Sequence, residues 1–288
     1  MERKTKFRHY IEAVLIYALP WALRPLPFAW RVTIGGAVIG FALRHVPSLR
    51  RRIEDNVALV LPEMAAQKGF LQRISRHIGR GFMVLFYSKD YHEKLSGVEM
   101  APEAFAEIKA AQAAGKPVIV VSGHFGEWEA IRVMLSRAGM PSASIYREAG
   151  NPIFERHFAK AMAVGGAGLF QTGLNGTRKM LKHLKAGGII TVLLDQRVNE
   201  GKVLDFMGKP ALSSSIMATL AVKTGALMVP VYAPLNAQGK VQLIVEPAIV
   251  HGQPLAMIQA INDSLSTQVR AHPEQWYWLH KRWARPDL

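Results

Sequence analysis

The chain has no cysteine in its 288 residues. Disulfides, thiol nucleophiles and cysteine-ligated metals are therefore excluded, and nothing supports a disulfide-built secreted fold. The Gly-x-Ser-x-Gly elbow of serine hydrolases is missing. So are the Gly-x-Gly-x-x-Gly and Walker loops that cradle phosphates. There is no His-Glu-x-x-His, and no other tight grouping of histidines and carboxylates at metal-ligand spacing, so neither a metal nor a resident cofactor is expected. Acidic residues are scarce, 21 against 36 Lys and Arg, which leaves a net charge of +15. No internal repeat or low-complexity linker occurs. What remains is room for metal-free acid–base chemistry in one large α/β domain with an appendage.

The positive charge is unevenly placed. Residues 1–52 hold ten Lys and Arg against two acidic residues, Glu2 and Glu12. Positions 10–23 are apolar apart from Glu12. A 14-residue helix reaches only ~21 Å, short of the ~30 Å hydrocarbon core of a bilayer. Arg24 and Arg31 bracket Pro25 to Trp30, a second uncharged stretch runs from Val32 to Leu43, and Arg44 and Arg50 to Arg52 follow. A signal peptide would need a small-residue cleavage site after Leu23, and none is present. Basic flanks on both sides favour a hairpin dipping into the cytoplasmic leaflet, or helices lying in the interface, with a single tilted span as an alternative. Trp21 and Trp30 beside arginines suit an interface. A buried helical pair in a soluble protein is the competing expectation. Residues 1–50 are thus read as a membrane-associating helical segment, 51–95 as a helical lead-in, and 96–288 as an α/β core.

Strand and helix patterns alternate from about residue 103. Strands are expected at Pro117–Val121, Ser142–Tyr146, Leu169–Phe170, Ile189–Leu194, Leu227–Tyr232 and Val241–Val245, with Val203–Phe206 short and extended. Helices are expected between them, ending in Pro254–Arg270. Such alternation argues for a mostly parallel central sheet flanked by helices, an αβα sandwich.

Chemistry collects at the carboxyl ends of such strands. His124 lies there, in Val121-Ser-Gly-His-Phe-Gly-Glu-Trp-Glu129. Gly123 and Gly126 flank it and leave room for a ligand. Glu129 is placed to fold back and hold the imidazole in one tautomer, making His124 a general base. The competing reading of His124 is a hydrogen-bonded structural histidine. Arg147 ends the strand after His124, and Asp195 and Arg197 end a third, so these side chains converge on one crevice; Arg147 and Arg197 suit phosphate, with surface salt bridges as the plainer reading. Asp195 reads equally as a turn or cap residue. Asn151-Pro152 reads as a helix N-cap followed by Pro at the first position. Arg178, Lys182 and Lys185 share a helix face that reads first as solvated. Pro273 to Trp283 mixes aromatic and basic residues, and fits aromatic packing, an interface belt or nucleic-acid contact.

Taken together, these residues resemble the bacterial lipid A biosynthesis acyltransferase family, the late lauroyl/myristoyl transferases within the lysophospholipid acyltransferase-like (glycerolipid-acyltransferase-like) group. The likeness lies in His124 and Glu129 as a His-x4-Asp/Glu pair, and in Tyr146-Arg147 with Asn151-Pro152. It continues in Asp195-Gln196, Asp205-Phe-Met-Gly208, Thr224-Gly-Ala226 before Val229-Pro230, and Pro273-Glu-Gln-Trp276 to Trp283. It covers nearly the whole chain. Glu127, where such sequences often carry Asn, is a departure that puts a second carboxylate near His124.

The resemblance implies transfer of an acyl chain from acyl-acyl carrier protein to a hydroxyl of a lipid A precursor at the cytoplasmic face of the inner membrane. His124 would be the base, Glu129 would orient it, and backbone amides at the helix start would meet the oxyanion. Arg147, Asn151, Asp195 and Arg197 would contact substrate. An acidic carrier and anionic inner-membrane lipid are the implied partners, and nucleic acid is not expected. Two other readings stand beside it: transfer to another glycolipid or a lysophospholipid, with acyl-CoA as donor, and a non-enzymatic basic protein binding membrane or nucleic acid.

Overall fold

A computed structural model of the protein describes residues 6–95, 98–101, 103–146, 150–164 and 166–283. It opens with six helices: α1 (Phe7–Leu23), α2 (Phe28–His45), α3 (Pro47–Val60), α4 (Pro62–Ala65), α5 (Phe70–Phe86) and α6 (Ser88–Lys94). The alternating part follows with β1 (Glu99–Met100), α7 (Ala106–Ala113), β2 (Val118–Ser122), α8 (Glu129–Arg137), β3 (Ala143–Tyr146) and α9 (Pro152–Ala163). Next come β4 (Gly168–Gln171), α10 (Leu174–Lys185), β5 (Ile189–Leu193), β6 (Lys202–Phe206), β7 (Lys209–Ser213) and α11 (Ile216–Thr224). The chain continues through β8 (Leu227–Tyr232), β9 (Gln242–Val245), α12 (Pro254–Ala271) and a 3-10 turn at Pro273–Gln275.

Seven strands form one sheet in the order β1-β9-β8-β2-β5-β3-β4, parallel throughout except for the β8–β9 pair. Every residue of β2 is buried. Alternate side chains of a strand point to opposite faces, so β2 feeds two cores. Val118 and Val120 pack with Ile108, Ile131 and Leu135 of α7 and α8. Ile119 and Val121 pack with Leu184, Ala218 and Ile261 of α10, α11 and α12. The expected αβα sandwich is present. The β6–β7 ribbon stands apart from the sheet. Its second strand was not expected, because Pro210 offers the sequence pattern a breaker rather than a strand residue.

The N-terminal helices are built into this body rather than hung from it. α2 and α5 cross at very short range over glycines. A Cβ on Gly40 would stand 2.9 Å from the Arg76 backbone, and one on Gly79 only 2.5 Å from the Gly36 carbonyl oxygen. Val32, Leu19, Leu23 and Phe28 join the core that lies against α7 and α8. The Tyr87 hydroxyl donates to the Pro20 carbonyl, and Arg31 pairs with Asp90. The outer faces remain apolar and open: Trp21 is 74% and Trp30 62% exposed, with Tyr10, Val14, Val38 and Phe41 also exposed. Among the described residues no single helix is long and apolar enough to cross a membrane. Only α2 and α3 together, bent by 89°, pass by length and composition. The segment is therefore helical and half-integrated, with its inner face in the core and its outer face apolar.

The Pro273–Trp283 stretch turns out to be core. Trp276, Trp278 and Trp283 are buried; Trp276 and Trp283 lie against Phe206, and Trp278 meets Trp276 edge to face at 4.9 Å. Of its three readings, aromatic packing is the one that this placement bears out.

The glycine crossing gives a stability test. Gly79→Val forces two backbones apart and should cost about 1–3 kcal/mol, as overpacked core sites do. A fall of several degrees in Tm by circular dichroism is expected. An unchanged Tm would mean that the helices do not approach so closely.

Candidate active site

Two adjacent parallel strands carry the site. β2 and β5 pair in register, with Ser122 opposite Leu193. Two residues farther along each strand stand His124 and Asp195, so the sheet itself sets them side by side. Gly126, at φ +60, then turns the chain away; a side chain there would meet the Ala233 carbonyl at 2.3 Å. Gly123 likewise faces Leu265 and the Asp195 carboxylate. These glycines admit the protein's own backbone and side chains, where a ligand had been expected.

The Asp195 carboxylate is buried and accepts three hydrogen bonds. Oδ1 meets His124 Nδ1 at 2.8 Å. Oδ2 accepts from the His124 backbone N–H at 2.8 Å and from Trp276 Nε1 at 2.8 Å. Burial pushes its pKa up, but the His124 charge, the two His124 bonds and the Trp276 bond outweigh this and hold it down at about 2. An ionised carboxylate can only accept, so Nδ1 carries the imidazole proton. The lone pair is therefore on Nε2. There it meets the side-chain amide of Gln196, 3.3 Å away. The ring lies between Trp128 and Tyr277 at 5.5 and 5.9 Å, and its side chain is 25% exposed. The result is an oriented, partly exposed imidazole whose Nε2, in the neutral ring, carries a lone pair that faces the Gln196 amide.

The carboxylate beside His124 thus belongs to Asp195, and Glu129 stands elsewhere. It is buried at the start of α8, bonded to Arg132 at 3.1 Å and 3.7 Å from His92 Nε2. Burial raises its pKa, while Arg132 and His92 lower it more, so it stays ionised. Arg132 in turn donates to the Met162 and Val164 carbonyls at the end of α9. Glu129 therefore braces α6, α8 and α9. The turn at Gly126 is what carries it away from the imidazole. Glu127 is buried too, and pairs with Arg80 Nε at 2.5 Å.

Asn151 is also occupied. Its carbonyl caps α9 through the Ile153 and Phe154 amides, and its NH2 donates to the His9 carbonyl and to Glu12. It ties α9 to α1 and is not part of the crevice. Arg197 follows Gln196 directly, and its Nε is buried with no bond among the described residues. Arg147 lies outside the described residues. The amides of Phe125, Gly126 and Glu127 donate to the Gly123, Gln275 and Ala233 carbonyls, so they are not free to meet an oxyanion. Gln196 and Trp276 are the site residues that pattern reading left without a role, although both lie in the motifs that carry the family resemblance.

The carboxylate's depressed pKa sets a pH dependence. Asp195 is more acidic folded than unfolded, so its contribution is fully present above about pH 4 and is lost as pH falls through about 2. The difference corresponds to about 2 kcal/mol. Urea titrations from pH 5 to pH 2 should show this loss in the wild type and a flatter dependence in Asp195→Asn. Parallel curves would assign the acid sensitivity to other groups.

The family described as bacterial lipid A biosynthesis acyltransferase matches residues 1–285. A lipid A biosynthesis acyltransferase of Haemophilus influenzae is 26% identical over 176 residues, covering 60% of this chain and 55% of that protein. A phosphatidylinositol mannoside acyltransferase of Mycobacterium tuberculosis is 26% identical over 281 residues, covering 93% of this chain and 87% of that protein. With a family match over nearly its whole length, the chain belongs to the bacterial lipid A biosynthesis acyltransferases and is an acyltransferase.

Proposed function

We propose that the protein moves a fatty acyl chain from an acyl thioester to a hydroxyl of a lipid A precursor, with His124 as general base and Asp195 as the residue that orients it. The observation that carries this reading is the line from Asp195 through the imidazole to an accessible Nε2. An acceptor hydroxyl takes the place of the Gln196 amide at Nε2 and gives up its proton there. The oxygen attacks the thioester carbonyl, the tetrahedral intermediate collapses, and the C–S bond breaks. The imidazolium returns its proton to the departing thiolate. Asp195, ionised and buried, stabilises the imidazolium while it lasts. Gln196, displaced from the imidazole, is positioned to donate to the oxyanion. The buried, unbonded Nε of Arg197 is the candidate contact for acceptor phosphate or sugar.

The donor we favour is acyl-acyl carrier protein, because an acidic carrier complements a +15 protein. Exposed aromatics on α1 and α2, next to arginines, suit attachment at the cytoplasmic face of the inner membrane, where anionic lipid would be met. A cavity of about 790 Å³ beneath α1, walled by Tyr17, Trp21, Phe86 and Tyr87, offers apolar space for a lipid chain. A second reading has a specific motive. The mycobacterial relative, named for a phosphatidylinositol mannoside, is matched over far more of its length than the Haemophilus protein, so a different glycolipid acceptor is the alternative.

Purified enzyme assayed by mass spectrometry against acyl-carrier and acyl-CoA donors, with lipid A precursor and phosphatidylinositol mannoside as acceptors, separates these readings. His124→Ala should lower transfer by about 10²–10⁴-fold, the usual worth of a general base, while circular dichroism still shows a folded protein at the assay temperature. Asp195→Asn should fall by at least about 10²-fold. Unchanged turnover in either variant would overturn its assigned role. Glu129→Ala should instead lower Tm, because breaking a buried ion pair costs about 3–5 kcal/mol. Should it abolish transfer at full stability, Glu129 would regain a catalytic part.

A further inference from the structure

A second cavity, an open groove, lies between α2, α5 and the Pro273–Gln275 turn. It encloses about 320 Å³. Arg73, Arg76, His77 and Arg80 share one face of α5, spaced at three and four residues, and all four line it. Thr33 and Ala37 of α2 stand opposite. Helix α2 can bring its wall this near only because Gly36 and Gly40 lie flat on the α5 backbone.

The charges of this cavity are only partly answered. Arg80 is held by Glu127. Arg73 stacks over the Phe70 ring and makes no ion pair, and Arg76 has no side-chain bond or ion pair among the described residues. One carboxylate, Glu274, is in the lining, and it makes no ion pair among the described residues. His77 Nε2 is buried without a partner. Burial lowers the His77 pKa most, and Arg80 adds to this, against the opposing pull of Glu127, the Gly126 backbone and Glu274. Two guanidiniums without an ion pair, against one carboxylate, leave the groove with a net positive charge that an anionic, oxygen-rich guest would answer.

We propose that Arg73 and Arg76 form a pocket for a phosphate group, carried by the headgroup of an anionic phospholipid. Guanidinium forks suit the tetrahedral oxygens of phosphate. The lipid source follows from the surroundings. Phe41 lies one turn beyond Ala37 on the same stripe of α2, and Phe41 and Val38 are exposed. A phosphate seated at the arginines would place its acyl chains over that apolar strip. The pocket also touches the catalytic loop, since its Gln275 carbonyl accepts from the Gly126 amide and its Arg80 grips Glu127. The proposal does not depend on the transfer chemistry.

Calorimetry on the full chain in uncharged detergent tests it, with dioctanoyl phosphatidylglycerol, inorganic phosphate and dioctanoylglycerol as probes. Wild type should bind phosphatidylglycerol at one site and ignore dioctanoylglycerol. Arg73→Ala/Arg76→Ala should bind it about tenfold or more weakly, as expected from losing two charge-assisted contacts. Thr33→Trp fills the mouth without altering charge, so it should weaken binding as well; a diffuse basic surface would not respond to it. Lys179→Ala/Lys182→Ala removes two charges from an exposed face of α10 and should bind as wild type does. Tm measured for each variant confirms folding. If inorganic phosphate binds with the same pattern while phosphatidylglycerol does not, the phosphate pocket stands and its lipid source is overturned. Absence of binding by wild type, equal binding by both pocket variants, or equal losses in the lysine pair would overturn the pocket.

Discussion

The structure turns on one buried anion. A carboxylate taken out of water costs several kcal/mol unless it is paired and fully bonded. Asp195 is satisfied from three directions: an imidazole, a backbone amide and an indole. Each of these donors is itself fixed by something larger. The imidazole and amide sit two residues past the β2–β5 register, and the indole belongs to the tryptophan cluster around Phe206. The buried Arg282 guanidinium lies over the same Phe206 ring and is pulled down to about 10 by burial, against the opposing pull of Asp195. Sheet, ribbon and C-terminal aromatics thus meet where one charge has to be held.

How much of this could be read in the sequence depends on distance along the chain. Strand β2, its buried run and the placement of His124 at its carboxyl end are local facts, and periodicity reveals them. So is the Asn151 cap, whose signal lies in two neighbouring residues. The partner of His124 is not local. Glu129 is five residues away and looks eligible, but one left-handed glycine sends it toward Arg132. Asp195 is 71 residues away and becomes the neighbour only once β5 is known to lie beside β2. Pattern reading placed Asp195 in the crevice but could not choose between a partner, a substrate contact and a cap. The Trp276 bond was still harder to see, because an aromatic, basic stretch reads alike for core, interface and nucleic acid.

The N-terminal helices show the same limit. Composition gives their apolar character and basic flanks, and both survive as exposed tryptophans beside arginines. That α2 rests on α5 backbone to backbone follows from glycines whose partners lie some 40 residues on. A helix with an exposed apolar face on one side and the α/β body on the other is thereby a rigid part of the protein. Its motion relative to the site is restricted by sterics rather than by a linker.

The aromatic cluster has a consequence in time. A chain leaving the ribosome presents residue 124 long before residue 276, yet the Gly126 amide and the Asp195 carboxylate are both bound by the later segment. Until those last residues dock, the carboxylate lacks a donor and the loop lacks its latch. Synthesis order and assembly order therefore differ, and the His124–Asp195 pair is completed only after the chain has been made through Trp276.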